Sequence, residues 1–261
     1  MKIAIVSLNQ SWEDKSANKE RCRLFIERAA NDGSELIIFP EMTLTGFSMN
    51  IKVISENLDD SDTLNYFKRK AKENNINIIF GYVERDDEKA LNRSVFISTD
   101  GEVKGMYSKI HPFSYASENE FFNSGNSLQI LDMHKFKIGL TICYDLRFPE
   151  LYQALSKNCS LIINIANWPE KRVDHWNSLL KARAIENQVF MIGVNRIGVD
   201  GNDISYVKSS QVVDPEGQLL GQFLSSEEYD LYDINPDFVN EVRSRFPMKN
   251  DRKVELYRNI L

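Results

Sequence analysis

Five stretches of this chain, ELIIFP, INIIFGYV, FKIGLTI, SLIINIA and VFMIGVN, are almost wholly apolar, and none is longer than eight residues. Runs that short and that rich in Ile and Val read as β-strands buried on both faces; a helix of ordinary length needs more. The opening MKIAIVSL has the same character and continues into charged sequence without a small-residue cleavage site, so it reads as a first strand and not as a signal peptide. Between the strands lie stretches of helical character: about Ala17 to Ala30, Thr63 to Asn74, a stretch from about Pro149, and about Val173 to Gln188. The first half is thus βαβαβ followed by a hairpin, SVFIST and EVKGMYS, around Asp100-Gly101. The second half repeats that order and closes with SSQVVD and QLLGQF around Asp214 to Gly217. Two such halves predict an α/β fold of two sheets packed face to face with helices outside, a four-layer α-β-β-α sandwich.

No Pro/Gly/Ser-rich tract or charge block divides the 261 residues, so residues 1–261 are expected to form one domain. The polar segment from about Asn235 to Leu261 reads as an extension packed over the body or onto a second subunit. Thirty-two Lys and Arg against 38 Asp and Glu leave a net charge of −6, which repels phosphate backbones and anionic membrane surfaces. Nucleic acid is therefore not an expected partner, and no apolar run is long enough to span a bilayer. A soluble cytoplasmic protein is expected. The three cysteines, odd in number and without the paired spacing of a zinc ribbon or a redox CxxC, fit a reducing compartment.

Cys143 ends the strand-like FKIGLTIC and precedes YDLRFPEL, where Pro149 suits a first helical turn. A strand-turn-helix junction exposes a nucleophile at a sheet edge and aims the next amides, first that of Tyr144, at a developing oxyanion. A free cysteine is also commonly just a small buried hydrophobe. Cys22 and Cys159, with no acid, base or turn chemistry beside them, are read that way. Glu41 follows ELIIFP, at the C-terminal end of an apolar strand where α/β sheets present functional groups; a carboxylate buried there is a usable base near neutrality. Lys109 ends EVKGMYSK and is either a surface strand end or a cation aimed into a cleft.

Taken together, PEMTLTGF around Glu41, YSKIHPF around Lys109 and GLTICYDLRFPEL around Cys143 resemble the three signature segments of the nitrilase, or carbon-nitrogen hydrolase, superfamily. NIANWP, HWNSLLKARAIENQ and the closing pattern from Arg243 to Tyr257 extend the resemblance over essentially the whole chain. It implies a Glu-Lys-Cys trio on an α-β-β-α sandwich: Glu41 the general base, Cys143 the nucleophile, and Lys109 a cation stabilising the oxyanion with the Tyr144 amide. It also implies a fourth residue, a glutamate seven positions before a glycine that follows an aromatic pair. In ENEFFNSG this is Glu118, with Glu120 the near competitor. A thiol of pKa about 8.5 is only a few per cent ionised at pH 7 and needs such a base or cation. Neither cofactor nor metal is expected, since His111, His134 and His175 are scattered and lack ligand spacing.

Within the superfamily, CYDLRFPEL, NWP followed by HW, and LLKARAIENQ are most similar to the ω-amidase-like branch. The resemblance implies a small acid with a terminal amide, of the 2-oxoglutaramate or succinamate type, and a homodimer or larger closed assembly. The apolar face of the helix from about Val173 to Gln188 is the surface expected to pair. A distal carboxylate needs a cation in a net-negative protein; Arg172 and His175 are the candidates, with Phe47 and Trp168 as pocket walls. The alternatives are hydrolysis of an N-carbamoyl amine or acid, or of deaminated glutathione, with the same trio. A different class, a non-catalytic nitrilase-fold binding protein, has no reason to keep Glu41, Lys109 and Cys143 together. A glutaminase module would need a fused synthetase for which the chain is too short, and nitrilases proper are longer.

Overall fold

The computed structural model describes residues 1–260. The strands are β1 (Lys2–Val6), β2 (Leu36–Ile38), β3 (Asn77–Asp86), β4 (Lys89–Ile97), β5 (Val103–Ser108), β6 (Ile130–Met133), β7 (Phe136–Ile142), β8 (Leu161–Ala166), β9 (Phe190–Asn195), β10 (Gly198–Val199), β11 (Ser205–Tyr206), β12 (Gln211–Val213), β13 (Leu224–Ser225) and β14 (Tyr229–Asp233). The helices are α1 (Lys15–Asn31), α2 (Ile51–Ile54), α3 (Asp62–Asn74), α4 (Glu118–Phe121), α5 (Pro149–Leu155), α6 (Val173–Asn187), α7 (Asp237–Arg245) and α8 (Val254–Ile260).

The first sheet runs β13-β14-β1-β2-β3-β4-β5 and the second β12-β9-β8-β7-β6. Each has a parallel centre, β1-β2-β3 in one and β7-β8-β9 in the other, with antiparallel strands outside it. The period of two assigns the faces. Ile3 and Ile5 of β1, with Leu36, Ile38 and Ile79, pack in one cluster with Ile138, Leu140 and Ile163 of the second sheet. The alternate residues Ala4, Val6, Ile37, Ile78 and Phe80 pack instead with Cys22, Ile26 and Ala29 of α1 and Leu64, Phe67 and Ala71 of α3. Trp176, Leu180 and Ala184 of α6 cover the far side of the second sheet. The result is the expected α-β-β-α sandwich.

The helices start where capping chemistry dictates: the Asp14 side chain accepts from Ala17 N–H, and Ser61 Oγ from Leu64 N–H. Asn75 and Gln188, in the left-handed region at φ 50° and 49°, end α3 and α6. Two expectations need correction. Of the closing hairpin, QLLGQF forms no strand and adds only a bridge, Val213 to Leu219. The apolar face of α6 is buried within the chain's own core and is not free to pair with a second copy. Five strands were not anticipated, β6, β10, β11, β13 and β14; of these β14 returns the chain to the first sheet, where Asp233 pairs with Lys2. The extension beyond Asn235 packs over the body. Val239 and Val242 of α7 are buried, and Arg243 donates to the carbonyls of Gln188 and Cys159. Among the described residues no helix is long and apolar enough to cross a membrane.

One half-buried carboxylate ties the two outer helices of the first sheet together. Glu56 Oε1 meets Lys15 Nζ at 2.6 Å at the start of α1, and Oε2 accepts from Ser61 Oγ and Thr63 N–H at the start of α3. Burial pushes the Glu56 carboxyl up, but the Lys15 ammonium and the Ser61 and Thr63 donors outweigh it and hold it at about 2. A depressed carboxylate adds stability above its ordinary pKa, lost as pH falls through the folded value. Glu56→Gln is therefore expected to cost about 1–2 kcal/mol at pH 7 in urea unfolding. The deficit should shrink between about pH 4.5 and 2; one that is constant with pH would exclude the charge as its source.

Candidate active site

The ends of strands from both sheets converge at one place. Glu41 lies three residues beyond β2, Lys109 directly after β5, Cys143 directly after β7 and Asn167 directly after β8. The loop bearing Glu41 lies flat on β3. Thr43 N–H donates to Gly81 O, Gly81 N–H donates to Thr43 Oγ1, and a Cβ at Gly81 would meet Met42 N at 2.1 Å. Only glycine permits that approach. Gln10 Nε2 holds the same loop by its carbonyls, at 3.0 Å from Glu41 O and 2.9 Å from Met42 O.

Glu41, Glu118 and Lys109 are all but sealed from solvent. Lys109 Nζ donates to Glu41 Oε1 at 2.9 Å and to Glu118 Oε2 at 2.8 Å. Asn92 Nδ2 bridges the same carboxylates, at 2.8 Å from Glu41 Oε1 and 2.9 Å from Glu118 Oε1. Glu41 Oε2 accepts from Asn167 N–H at 2.8 Å, and Asn167 Nδ2 donates to Glu41 O at 2.7 Å. Glu118 also accepts from the N–H of Phe113. Glu120, one turn position away on α4, is exposed, so of the two glutamates only Glu118 reaches the cluster.

Burial acts to lower the Lys109 pKa, but Glu118 and Glu41 outweigh it and hold the ammonium above its ordinary range. Burial pushes Glu118 up, with Lys109 opposing it and Glu41 adding to it. The Cys143 thiol is pushed well up, first by burial and then by Glu41, with Lys109 opposing. The resting thiol is thus protonated beside a charged lysine, and any attack from it would need a base. Cys143 has φ 45°, the strained left-handed setting of a nucleophile on a sharp turn, and its Sγ lies 3.9 Å from Asn167 O. Tyr144 follows it in the short helical turn Cys143–Arg147, whose first N–H groups lack intrahelical partners.

Above Cys143 opens a cavity of about 120 Å³, lined by Phe47, Tyr144, Trp168 and Arg172, and also by Phe113, Arg147, Asn167, Asp200 and Tyr206. It is far below the roughly 300–1,000 Å³ of drug-sized pockets, so it suits a small acyl group. Arg172 Cζ lies 5.5 Å from the Phe113 ring centre and Arg147 Cζ 4.8 Å from that of Trp168. His175 is not in the cavity: it is exposed on the first turn of α6, with Nδ1 3.2 Å from Arg147 Nη2. Asp200 has its oxygens taken by the Tyr206 hydroxyl and the N–H groups of Asn202 and Ile204.

Sequence reasoning missed Asn92, Asn167 and Arg147. The asparagine two residues before the SVFIST run, in LNRSVFI, and the asparagine of NIANWP were the available signals. Among the described residues no group of His, Cys, Asp and Glu has the arrangement of a metal site.

The sequence matches the carbon-nitrogen hydrolase family model over residues 2–244. It is 31% identical to the omega-amidase YafV of Escherichia coli (strain K12) over 255 residues, 96% of each chain. It is 28% identical to the 2-oxoglutaramate amidase of Bacillus subtilis (strain 168) over 258 residues, 98% of each. Among solved structures, XC1258 of Xanthomonas campestris, a CN-hydrolase superfamily protein with an arsenic adduct in its active site, superposes with a TM-score of 0.90. It is 30% identical, over 97% of both chains.

Proposed function

Because the chain belongs to the carbon-nitrogen hydrolase family and is an amide-hydrolysing enzyme, we propose that it cleaves the terminal amide of a small dicarboxylic acid monoamide. The substrate is of the 2-oxoglutaramate or succinamate type, and Cys143 carries the acyl group as a thioester. Glu41 takes the thiol proton as Sγ bonds to the amide carbon, and the carbonyl electron pair moves to oxygen beside Lys109 Nζ and the Tyr144 N–H. The tetrahedral adduct collapses, the C–N bond breaks, and the proton on Glu41 passes to nitrogen, which leaves as ammonia. Water then adds to the thioester while giving a proton to Glu41. The C–S bond breaks, the acid leaves, and the proton returns to sulfur. Glu118, on the far side of Lys109, holds that ammonium in place.

The observation that carries the substrate assignment is the pair of arginines in the small cavity beside Cys143. Neither Arg147 nor Arg172 takes part in an ion pair among the described residues, which leaves both for a distal carboxylate. The similarity to an omega-amidase and a 2-oxoglutaramate amidase supports the same reading. Arg172→Ala is expected to lower kcat/KM for succinamate by about 10–100-fold, the loss of a charge-assisted hydrogen bond. A neutral amide of equal length should lose little. Equal kcat/KM for the two substrates in the wild-type enzyme would remove the anchor and leave a general aliphatic amidase.

The same reading has residues 1–261 acting as one cytoplasmic domain, without a cofactor, in a homodimer or larger assembly. Exposed Leu219, Phe223 and Phe246 are available for pairing. Sedimentation as a 30.2 kDa species at micromolar concentration would exclude the assembly.

A further inference from the structure

One buried carboxylate joins the turn that carries Cys143 to the segment that carries Lys109. Asp145 stands two residues after Cys143 and has no exposed surface. Four donors converge on its two oxygens. Oδ2 accepts from the Tyr107 hydroxyl at 2.8 Å and from Ile142 N–H at 3.0 Å. Oδ1 accepts from His111 N–H at 3.1 Å and lies 2.7 Å from His111 Nδ1. Tyr107 precedes Lys109 by two residues, His111 follows it by two, and Ile142 is the residue before Cys143. The His111 ring is held flat against Phe148, at 3.7 Å between centres and 11° between planes, and Phe148 N–H donates back to Asp145 O.

We infer that Asp145 is a positioning residue for amide hydrolysis, which locks the Cys143 turn and both flanks of Lys109 into one frame. Asp145 does not line the cavity, so it acts through its neighbours and not on substrate. Without it, Ile142 and Cys143 on one side and Tyr107 to His111 on the other meet only through packing. The left-handed backbone at Cys143, itself strained, loses the clamp on the residue before it. An amide cannot replace the carboxylate, because its NH₂ would face two donors on one side of the group. The expected signature is a loss in turnover and not in affinity, since an error of about 1 Å between thiol and oxyanion stabiliser costs about 10²-fold in rate. The inference rests on the roles given above to Cys143 and Lys109.

The test is Asp145→Asn, assayed for ammonia release from a primary amide, with circular dichroism and thermal unfolding to check the fold and Cys143→Ala in parallel. Expected is a folded variant with kcat lower by about 10²-fold and KM within about threefold of wild type. A folded Asp145→Asn with wild-type kcat, or with a raised KM at unchanged kcat, overturns the inference. Should Asp145→Asn not fold, Tyr107→Phe and His111→Ala each remove one side-chain donor and are expected to lower kcat about tenfold at unchanged KM. Wild-type kcat in both overturns it equally. An active Cys143→Ala removes the nucleophile reading and this inference with it, whereas an inactive Cys143→Ala beside a fully active Asp145→Asn removes this inference alone.

Discussion

Replacing Cys143 by alanine is expected to lower the rate of ammonia release by about four orders of magnitude or more in a protein that remains folded. Removing the nucleophile of a covalent mechanism leaves only substrate binding and oxyanion stabilisation. The other two cysteines supply the contrast. Burial, outweighing the nearby Arg243 and Lys137, pushes the Cys159 thiol up to about 12, and burial likewise raises Cys22 against Arg21, so all three resting thiols are protonated and burial does not single one out. What sets Cys143 apart is position: it lines the cavity, at the end of β7, with Glu41 and Lys109 beside it, whereas Cys22 lies on the buried face of α1 and Cys159 packs beside Leu155 against Gly139. Cys22→Ala and Cys159→Ala should therefore turn over at near the wild-type rate, with only the stability cost of a small cavity, about 1 kcal/mol. Residual activity above a few per cent in Cys143→Ala would end the covalent mechanism. Detection of an acyl adduct on Cys143 by mass spectrometry, absent from the alanine variant, is the direct positive check.

The parts of this site that a reader of the sequence can find are those whose chemistry depends on local order. The junction FKIGLTIC-YDLRFPEL shows a strand, a turn and a helix start within a few residues, and the structure builds them as β7, a short helical turn and α5 with Pro149 in its first turn. Glu118 over Glu120 is decided by which side of one short helix faces inward; the glutamate that the family resemblance selects is the one that reaches the Lys109 cluster. Asn92 is different. It earns its place by lying opposite Lys109 across the β4-β5 ladder, where its carbonyl accepts Lys109 N–H at 2.9 Å while its side chain reaches both carboxylates. The contacts that make it functional reach Glu41, 51 residues away, and Glu118, 26 away, and no local pattern encodes them. The strand β14 was illegible for the same reason: YDLYD alternates aspartates that are buried or exposed according to their neighbours, Asp230 meeting Lys208 and Asp233 the N-terminus. His175 failed as an anchor because it stands exposed on the first turn of α6, where its ring meets Arg147 from outside the cavity.

The second large effect belongs to Lys109→Met, which is expected to abolish measurable turnover and, unlike the cysteine change, to destabilise the protein strongly. Loss of the oxyanion cation costs about 3 kcal/mol or more in a dry site, which is at least two orders of magnitude in rate. The larger consequence follows from what stays behind. Glu41 and Glu118 are fully buried and share the one ammonium; without it, two carboxylates face each other through Asn92 alone. Breaking a buried ion pair by removing one partner costs about 3–5 kcal/mol. The folded state then favours the protonated form of Glu118 more than the unfolded chain does, since that carboxyl is already held above its ordinary range with the lysine present. The folded variant therefore binds more protons than the unfolded one, and its stability rises as pH falls toward the ordinary carboxylate range. Urea unfolding of Lys109→Met should show a deficit largest at neutral and alkaline pH and smaller near pH 5. The double variant Lys109→Met/Glu118→Gln, with one charge fewer, should recover stability at neutral pH without recovering activity. A single variant as stable as wild type at pH 8 would mean that the carboxylates do not share a buried charge, and the account of Lys109 as the cation that holds both would fall with it.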